Sequence, residues 1–216
     1  MRDGEAKLVV GSRGSGKTAW ALQSVPTGAN TRLLVWDTVG EWSRLGRCQP
    51  VATLAELGRL VIADAKRPGR FKVGYTGPIV MYVPKGKSVV TVPLFPLFCR
   101  LAWVWMRVKP GTLVVEELAD VTNPGKAPAD WGEIVRKGRH TGSNIIALTQ
   151  RPTESDTTIA GNADLIHCGR LTRPGDRRLM AEYLDCPVEQ VTALQSLHWI
   201  ERDMRTCRLT TGVLRF

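Results

Sequence analysis

Eight residues near the amino terminus have types and spacing suited to holding phosphate. Gly11-Ser12-Arg13-Gly14-Ser15-Gly16-Lys17-Thr18 fits G-x-x-x-x-G-K-[ST] at every fixed position, with the apolar run Leu8-Val9-Val10 before it and a helical pattern from Lys17 after it. Glycines at these places let the backbone curl until its N–H groups point inward, and a helix N-terminus adds a positive end. Lys17 is placed to reach the β- and γ-phosphates of a nucleotide, and Thr18 to put its hydroxyl on Mg²⁺. Gly11 to Thr18 are therefore the candidate nucleotide-binding residues. A glycine-rich turn that binds nothing would match both the spacing and the flanks only by chance.

Carboxylates and an amide follow at the ends of later apolar runs. Thr112-Leu113-Val114-Val115 leads into Glu116-Glu117 and resembles a Walker B strand. Phosphoryl chemistry needs one carboxylate near the metal and its waters, and a second can polarise an attacking water. Glu116 is assigned to the metal with Thr18, and Glu117 to the water. Glu116 departs from the usual Asp, an extra methylene that contact to Mg²⁺ through water would tolerate. Asn144 to Thr149 is another buried run, ending in Gln150, which is expected to sense the γ-phosphate or the water beside it.

The elements that must position these residues read as alternating strands and helices. Strands are expected at Leu8–Val10, Thr31–Asp37, Thr112–Glu116, Ser143–Thr149 and Ala163–Gly169, with one or two more in Phe71–Val83. Helices are expected from Lys17 and over Leu54–Ala65, Leu94–Val108, Trp131–Arg139 and Asp176–Leu184, and Leu197–Thr210 alternates like a hairpin. That order favours an α/β fold: a mostly parallel central sheet flanked by helices, with a C-terminal β-hairpin. No repeat or low-complexity linker breaks the 216 residues, so residues 1–216 are read as one domain.

Composition narrows the class. Hydrophobic residues are 43% and charged residues 23%, which excludes a disordered tail, a collagen-like fibre and a coiled-coil rod. Lys plus Arg number 30 against 20 Asp plus Glu, and the net charge of +10 suggests a polyanionic partner, nucleic acid first. The densest basic segment holds Arg59, Lys66, Arg67, Arg70, Lys72, Lys85 and Lys87 against one acid, Asp64. Five cysteines with no Cys-x-x-Cys pair suggest free thiols in a reducing compartment. No signal peptide is read after Met1, and no apolar run is long enough for a transmembrane segment.

Together these residues resemble the HerA–FtsK superfamily of P-loop ATPases. The resemblance is carried by Gly138-Arg139-His140-Thr141-Gly142, by Thr149-Gln150-Arg151-Pro152, by Asp156 to Ile159, by Asn162-Ala163-Asp164 and by Arg170 to Arg177. Asp37 to Glu41, after the second strand, is also similar, and the likeness covers most of Leu8 to Leu184. A chain little longer than the motor is similar to the genome-packaging ATPases of tectivirus-like, membrane-containing icosahedral viruses. The resemblance implies a RecA-like (ASCE) core using ATP and Mg²⁺, a hexameric homo-oligomeric ring, and translocation of double-stranded DNA into a preformed capsid. It also implies capsid or viral-membrane vertex proteins as partners, and a place at the virion packaging vertex or in host cytoplasm. Ring motors of this type set an arginine against the nucleotide of the neighbouring subunit. Arg136, Arg139 and Arg151 are candidates, and Arg139 is chosen because its segment is most like the family.

Three rival readings remain at this stage. A filamentous-phage morphogenesis ATPase of the zonula-occludens-toxin type shares the P-loop and the strand-end Gln but usually carries a transmembrane segment. A small nucleotide kinase would need no water-activating Glu117. A non-enzymatic DNA-binding protein would not need Lys17-Thr18 intact. Phe95, Phe98, Trp103 and Trp105 are read as core or interface, and His167-Cys168 as packing. Asp37 and Glu41 are as consistent with a loop cap as with the nucleotide site.

Overall fold

A computed structural model describes residues 3–86 and 88–215; Met1 and Lys87, both used in the sequence reading, lie outside the described residues. Short apolar runs became strands buried on both faces. β1 (Ala6–Val10), β2 (Arg32–Trp36), β7 (Thr112–Val115), β8 (Asn144–Thr149) and β9 (Leu165–Gly169) carry the core of the sheet. The remaining strands are β3 (Gln49–Val51), β4 (Phe71–Tyr75), β5 (Val80–Lys85), β6 (Ser88–Pro93), β10 (His198–Asp203) and β11 (Arg208–Val213). Nine of them form one sheet in the order β11-β10-β9-β1-β8-β7-β2-β4-β3. All its pairs are parallel except β9–β10 and β10–β11, so the C-terminal hairpin extends a parallel sheet with antiparallel strands.

The helices are α1 (Lys17–Ser24), α2 (Glu41–Arg44), α3 (Leu54–Lys66), α4 (Phe95–Val108), α5 (Ala129–Lys137), α6 (Thr158–Asn162), α7 (Pro174–Leu184) and α8 (Val188–Thr192). Side-chain alternation along each strand splits the core in two. Leu8, Val10, Leu34, Trp36, Leu113 and Val115 face the α3, α4 and α5 side, where Trp36 sits 4.9 to 5.2 Å from the rings of Tyr75, Phe95 and Phe98. Val9, Leu33, Val35, Val114 and Ile146 face α1 and α2. Phe95, Phe98 and Trp105 are buried core, whereas Trp103 is only partly buried. His167 and Cys168 are buried, and His167 Nδ1 lies 2.8 Å from Glu201 Oε1. The cysteines are free, three of them buried. Among the described residues no helix is long and apolar enough to cross a membrane.

Two strands escaped the sequence reading, as did the helices α2, α6 and α8, each five residues or shorter. β3 is three residues long and contains Pro50, so it has no periodicity to detect. β6 pairs with β5 in a separate two-stranded ribbon whose residues are exposed on both faces, so neither strand alternates. The expected helix from Trp131 ends at Lys137, and Arg139 lies in a following 3₁₀ turn, Gly138–Thr141.

One buried ion pair fastens the β2–β4 side. Arg32, 4% exposed, donates from Nη1 to both oxygens of Asp64 at 2.7 and 2.6 Å, with its guanidinium 4.9 Å from the Trp105 ring. Removing one member leaves the other charged and desolvated. Asp64→Ala is expected to lower unfolding free energy by about 3–5 kcal/mol, and Arg32→Met/Asp64→Leu by far less. Urea denaturation measures both; a single-variant loss below about 1 kcal/mol would remove this pair from the stability argument.

Candidate functional site

Strand order assembles the site. β8 lies between β1 and β7, with Val10 opposite Thr149 and Ala147 opposite Val115. All three run parallel, so the loop after β1, Gln150 after β8 and Glu116-Glu117 after β7 emerge at one end of the sheet. They line a cleft of about 700 Å³ that also receives Arg13, Val39, Glu41 and Arg44.

The loop Gly11–Gly16 is held from several sides. Gly11 N donates to Thr149 O at 3.2 Å and Ser12 N to Arg170 O at 2.8 Å. Gly16 has φ 94°, a left-handed conformation open to glycine, and a Cβ there would meet Leu214 at 2.7 Å. The segment around the C-terminal hairpin therefore braces the loop, and Ser196 Oγ donates to Gly14 O at 3.1 Å. Ser15 is buried with its hydroxyl unpartnered. Lys17 opens α1, and burial lowers its pKa against the raising influence of Glu117, Glu116 and Glu41.

Two carboxylates flank the Thr18 hydroxyl. Thr18 Oγ1 lies 3.3 Å from Glu116 Oε1 and 3.2 Å from Glu41 Oε2, and its single proton serves one at a time. Burial, then the charges of Glu41 and Asp37, push the Glu116 carboxyl up to about 8. Its Oε2 is buried without a partner. An orphaned carboxylate oxygen, a hydroxyl and a second carboxylate form an all-oxygen set of the kind a hard divalent cation takes. Among the described residues no three or more His, Cys, Asp or Glu form an all-protein metal cage. A set of so few protein oxygens suits Mg²⁺, which keeps positions for waters and substrate phosphate. The residues Thr18 and Glu116 thus fit the cation expected of them, with Glu41 added. Glu41 was left undecided in the sequence because its role depends on α2 carrying it to Thr18. Asp37, by contrast, caps α2: its carboxylate accepts from Trp42 N, Ser43 N and Ser43 Oγ at 2.8–3.2 Å.

Glu117 is held differently. Its φ of 55° is a left-handed conformation that costs a non-glycine residue about 1–3 kcal/mol. Gln150 offsets the strain by donating twice: backbone N to Oε1 at 2.9 Å and side-chain Nε2 to Oε2 at 2.6 Å. Both oxygens of one carboxylate are therefore fixed by the residue that ends the neighbouring strand. Such a carboxylate can accept a proton from water beside a phosphate bound on the loop.

Arg139 is not part of this cluster. Its guanidinium lies 3.9 Å from Asp164 Oδ1, and Asp164 accepts from Ala6 N at the start of β1. That is the opposite end of the sheet from Lys17, a strand length of about 17 Å away. Arg151 pairs instead with Glu154 at 3.0 Å, and Arg136 is exposed on α5.

The Glu116 shift has a stability consequence. A carboxyl whose folded pKa lies near 8 binds its proton more tightly folded than unfolded. Below the ordinary carboxylate range it costs nothing; as pH rises from there through about 8, stability is lost. With divalent cations chelated, Glu116→Gln should therefore be more stable than wild type at about pH 9, by a margin that shrinks toward about pH 5. Urea unfolding at the two pH values checks this, and a margin independent of pH would contradict it.

Comparison with known proteins follows this geometry. No protein-family model matches the chain. Protein P9 of Pseudoalteromonas phage PM2 is 34% identical over 191 residues, covering 88% of this chain and 79% of that protein. The genome packaging NTPase B204 from Sulfolobus turreted icosahedral virus 2, in complex with AMPPCP, superposes with a TM-score of 0.71 at 16% identity over 98% of each chain. B204, the DNA-packaging ATPase from Sulfolobus turreted icosahedral virus, gives 0.66 at 15% identity over all of both chains. At these identities the two structures share the fold of this chain, a P-loop NTPase fold.

Proposed function

The chain belongs to the family of protein P9 of phage PM2, and from that membership and the cleft's geometry we propose that it is an ATP-hydrolysing motor that packages double-stranded DNA into a viral procapsid. The observation that carries the reading is Glu117, strained in the left-handed region and held at both oxygens by Gln150 beside the phosphate loop. A phosphotransferase with an organic acceptor has no need to activate water, the role this carboxylate beside the phosphate loop is suited to. The fold shared with B204, whose described role is genome packaging, supports the viral part of the proposal.

Each residue then has a role. Backbone N–H groups of Gly11 to Gly16 and the start of α1 receive the phosphates, and Lys17 neutralises oxygens of the β- and γ-phosphates. Thr18 and Glu116, joined by Glu41, are the residues that would hold Mg²⁺, which supplies Lewis-acid neutralisation of charge developing on the phosphates. The cleft contains three cationic and three anionic side chains, Arg13, Lys17 and Arg44 against Glu41, Glu116 and Glu117. With the Glu116 carboxyl pushed up to about 8 the balance near neutral pH favours an incoming polyphosphate, and a divalent cation would let Glu116 ionise. Glu117 takes the proton of the attacking water, and Gln150 links that carboxylate to the γ-phosphate. Arg139 acts in trans: in a hexameric ring it stabilises transition-state charge at the neighbour's nucleotide. The partners are duplex DNA, further copies of this chain, and capsid or viral-membrane vertex proteins, at the packaging vertex or in the host cytoplasm.

Steady-state ATP hydrolysis with and without linear duplex DNA tests the reading. Duplex of any sequence should stimulate hydrolysis. Glu117→Gln should lower kcat about 10²- to 10⁴-fold while nucleotide still binds, and Lys17→Ala should lose nucleotide binding. Transfer of phosphate to a nucleoside rather than to water would overturn it. Mixing Arg139→Ala with Glu117→Gln subunits should restore hydrolysis, because each supplies what its neighbour lacks; no recovery would remove Arg139 from the trans role.

A further inference from the structure

A second cavity lies at the other end of the sheet. It is a groove of about 630 Å³ between the C-terminal end of α3, the start of β4 and the segment entering β3. Four cationic residues line it: Arg47 and Lys72, half-buried, and Arg67 and Arg70, exposed. None of the four forms a salt bridge with a carboxylate among the described residues. Asp64, the one acid in the lining, is already engaged. Both its oxygens take Arg32 Nη1, and Oδ1 also accepts Gly69 N at 3.3 Å. The buried pair therefore does two things at once. It consumes the groove's negative charge, and it pins through Gly69 the turn that carries Arg67 and Arg70.

The walls have little that could read a base. Phe71 is 5% exposed and its ring packs against Trp105, so no aromatic face is open for stacking. Uncompensated cations on a fixed turn recognise repeated phosphate charge and not sequence. We propose that this groove is the seat of the duplex DNA phosphate backbone. The inference rests on the DNA-motor reading above and assigns that reading a surface. Lys72, second in β4, stands near the amino end of the parallel strands, whereas Lys17 and Glu117 stand at their carboxyl ends, so DNA and nucleotide occupy opposite ends of one sheet.

The test is duplex affinity as a function of salt, measured by fluorescence anisotropy on the full chain. Each lost phosphate contact lowers the slope of log K against log salt by about 0.9, so Arg67→Ala/Arg70→Ala/Lys72→Ala should lower it by up to about 2.7. Lys126→Ala/Arg178→Ala/Arg208→Ala removes the same charge from exposed sites elsewhere and should leave the slope near the wild-type value. Arg67→Lys/Arg70→Lys/Lys72→Arg keeps the charge and should keep the slope, which separates lost contacts from a damaged fold. Equal slopes for the groove and control variants would overturn the groove while leaving the motor reading intact. Wild-type protein with no salt-dependent duplex binding would overturn the DNA reading and the groove with it. Binding to anionic phospholipid vesicles but not to duplex, lost in the groove variant, would reassign the groove to a membrane surface and overturn the proposal.

Discussion

The cleft depends on one strand being placed between two others. β8 separates β1 from β7, and parallel pairing on both sides makes the three end together. A one-residue slip of β8 would turn its side chains to the other face and move Gln150 away from Glu117. What prevents the slip is burial. Ile145, Ile146, Ala147 and Leu148 are all 1% exposed or less, and alternate residues feed two separate cores. Packing far from the phosphate loop thus fixes which polar residues meet at its edge.

The two ends of the sheet treat buried charge in opposite ways. At the β2–β4 end Arg32 and Asp64 satisfy each other, and the pair serves as a structural fastener. At the phosphate loop Glu116 is buried with one oxygen unpartnered, Glu41 stands nearby, and Lys17 is partly desolvated. The first arrangement is complete without a ligand. The second leaves a buried polar oxygen without a partner, which costs free energy in the fold.

Much of this was legible from residues alone, for physical reasons. Buried parallel strands read as continuous apolar runs, so β1, β2, β7, β8 and β9 were visible, and polar residues ending such runs marked the site. The Gly16 position could be read because only glycine enters that conformation cheaply. Glu41 could not be settled, since its contact with Thr18 crosses 23 positions of chain and depends on how α2 is set down. The same holds for the sorting of basic residues. Arg67, Arg70 and Lys72 form a run in sequence, but that Asp64 is neutralised by Arg32, and that Arg47 joins them, follows only from tertiary structure. The β5–β6 ribbon, solvated on both faces, had no hydrophobic pattern to reveal it.

The position of β1 also bears on how the molecule comes to be folded. β1 lies in the interior of the sheet, yet its strand neighbours are β8 and β9, and Glu5 bonds Asn144 across 139 positions of chain. Closing so long a loop costs entropy before any contact is gained, and topologies dominated by such closures fold slowly. During synthesis the phosphate loop is therefore among the earliest segments made and among the last to acquire a partner. Until β8 and β9 have emerged, an apolar strand stands with both edges unpaired, the kind of segment that pairs with other chains. The cleft between β1, β8 and β7 therefore forms only with completion of the sheet, and an incomplete polypeptide lacks it.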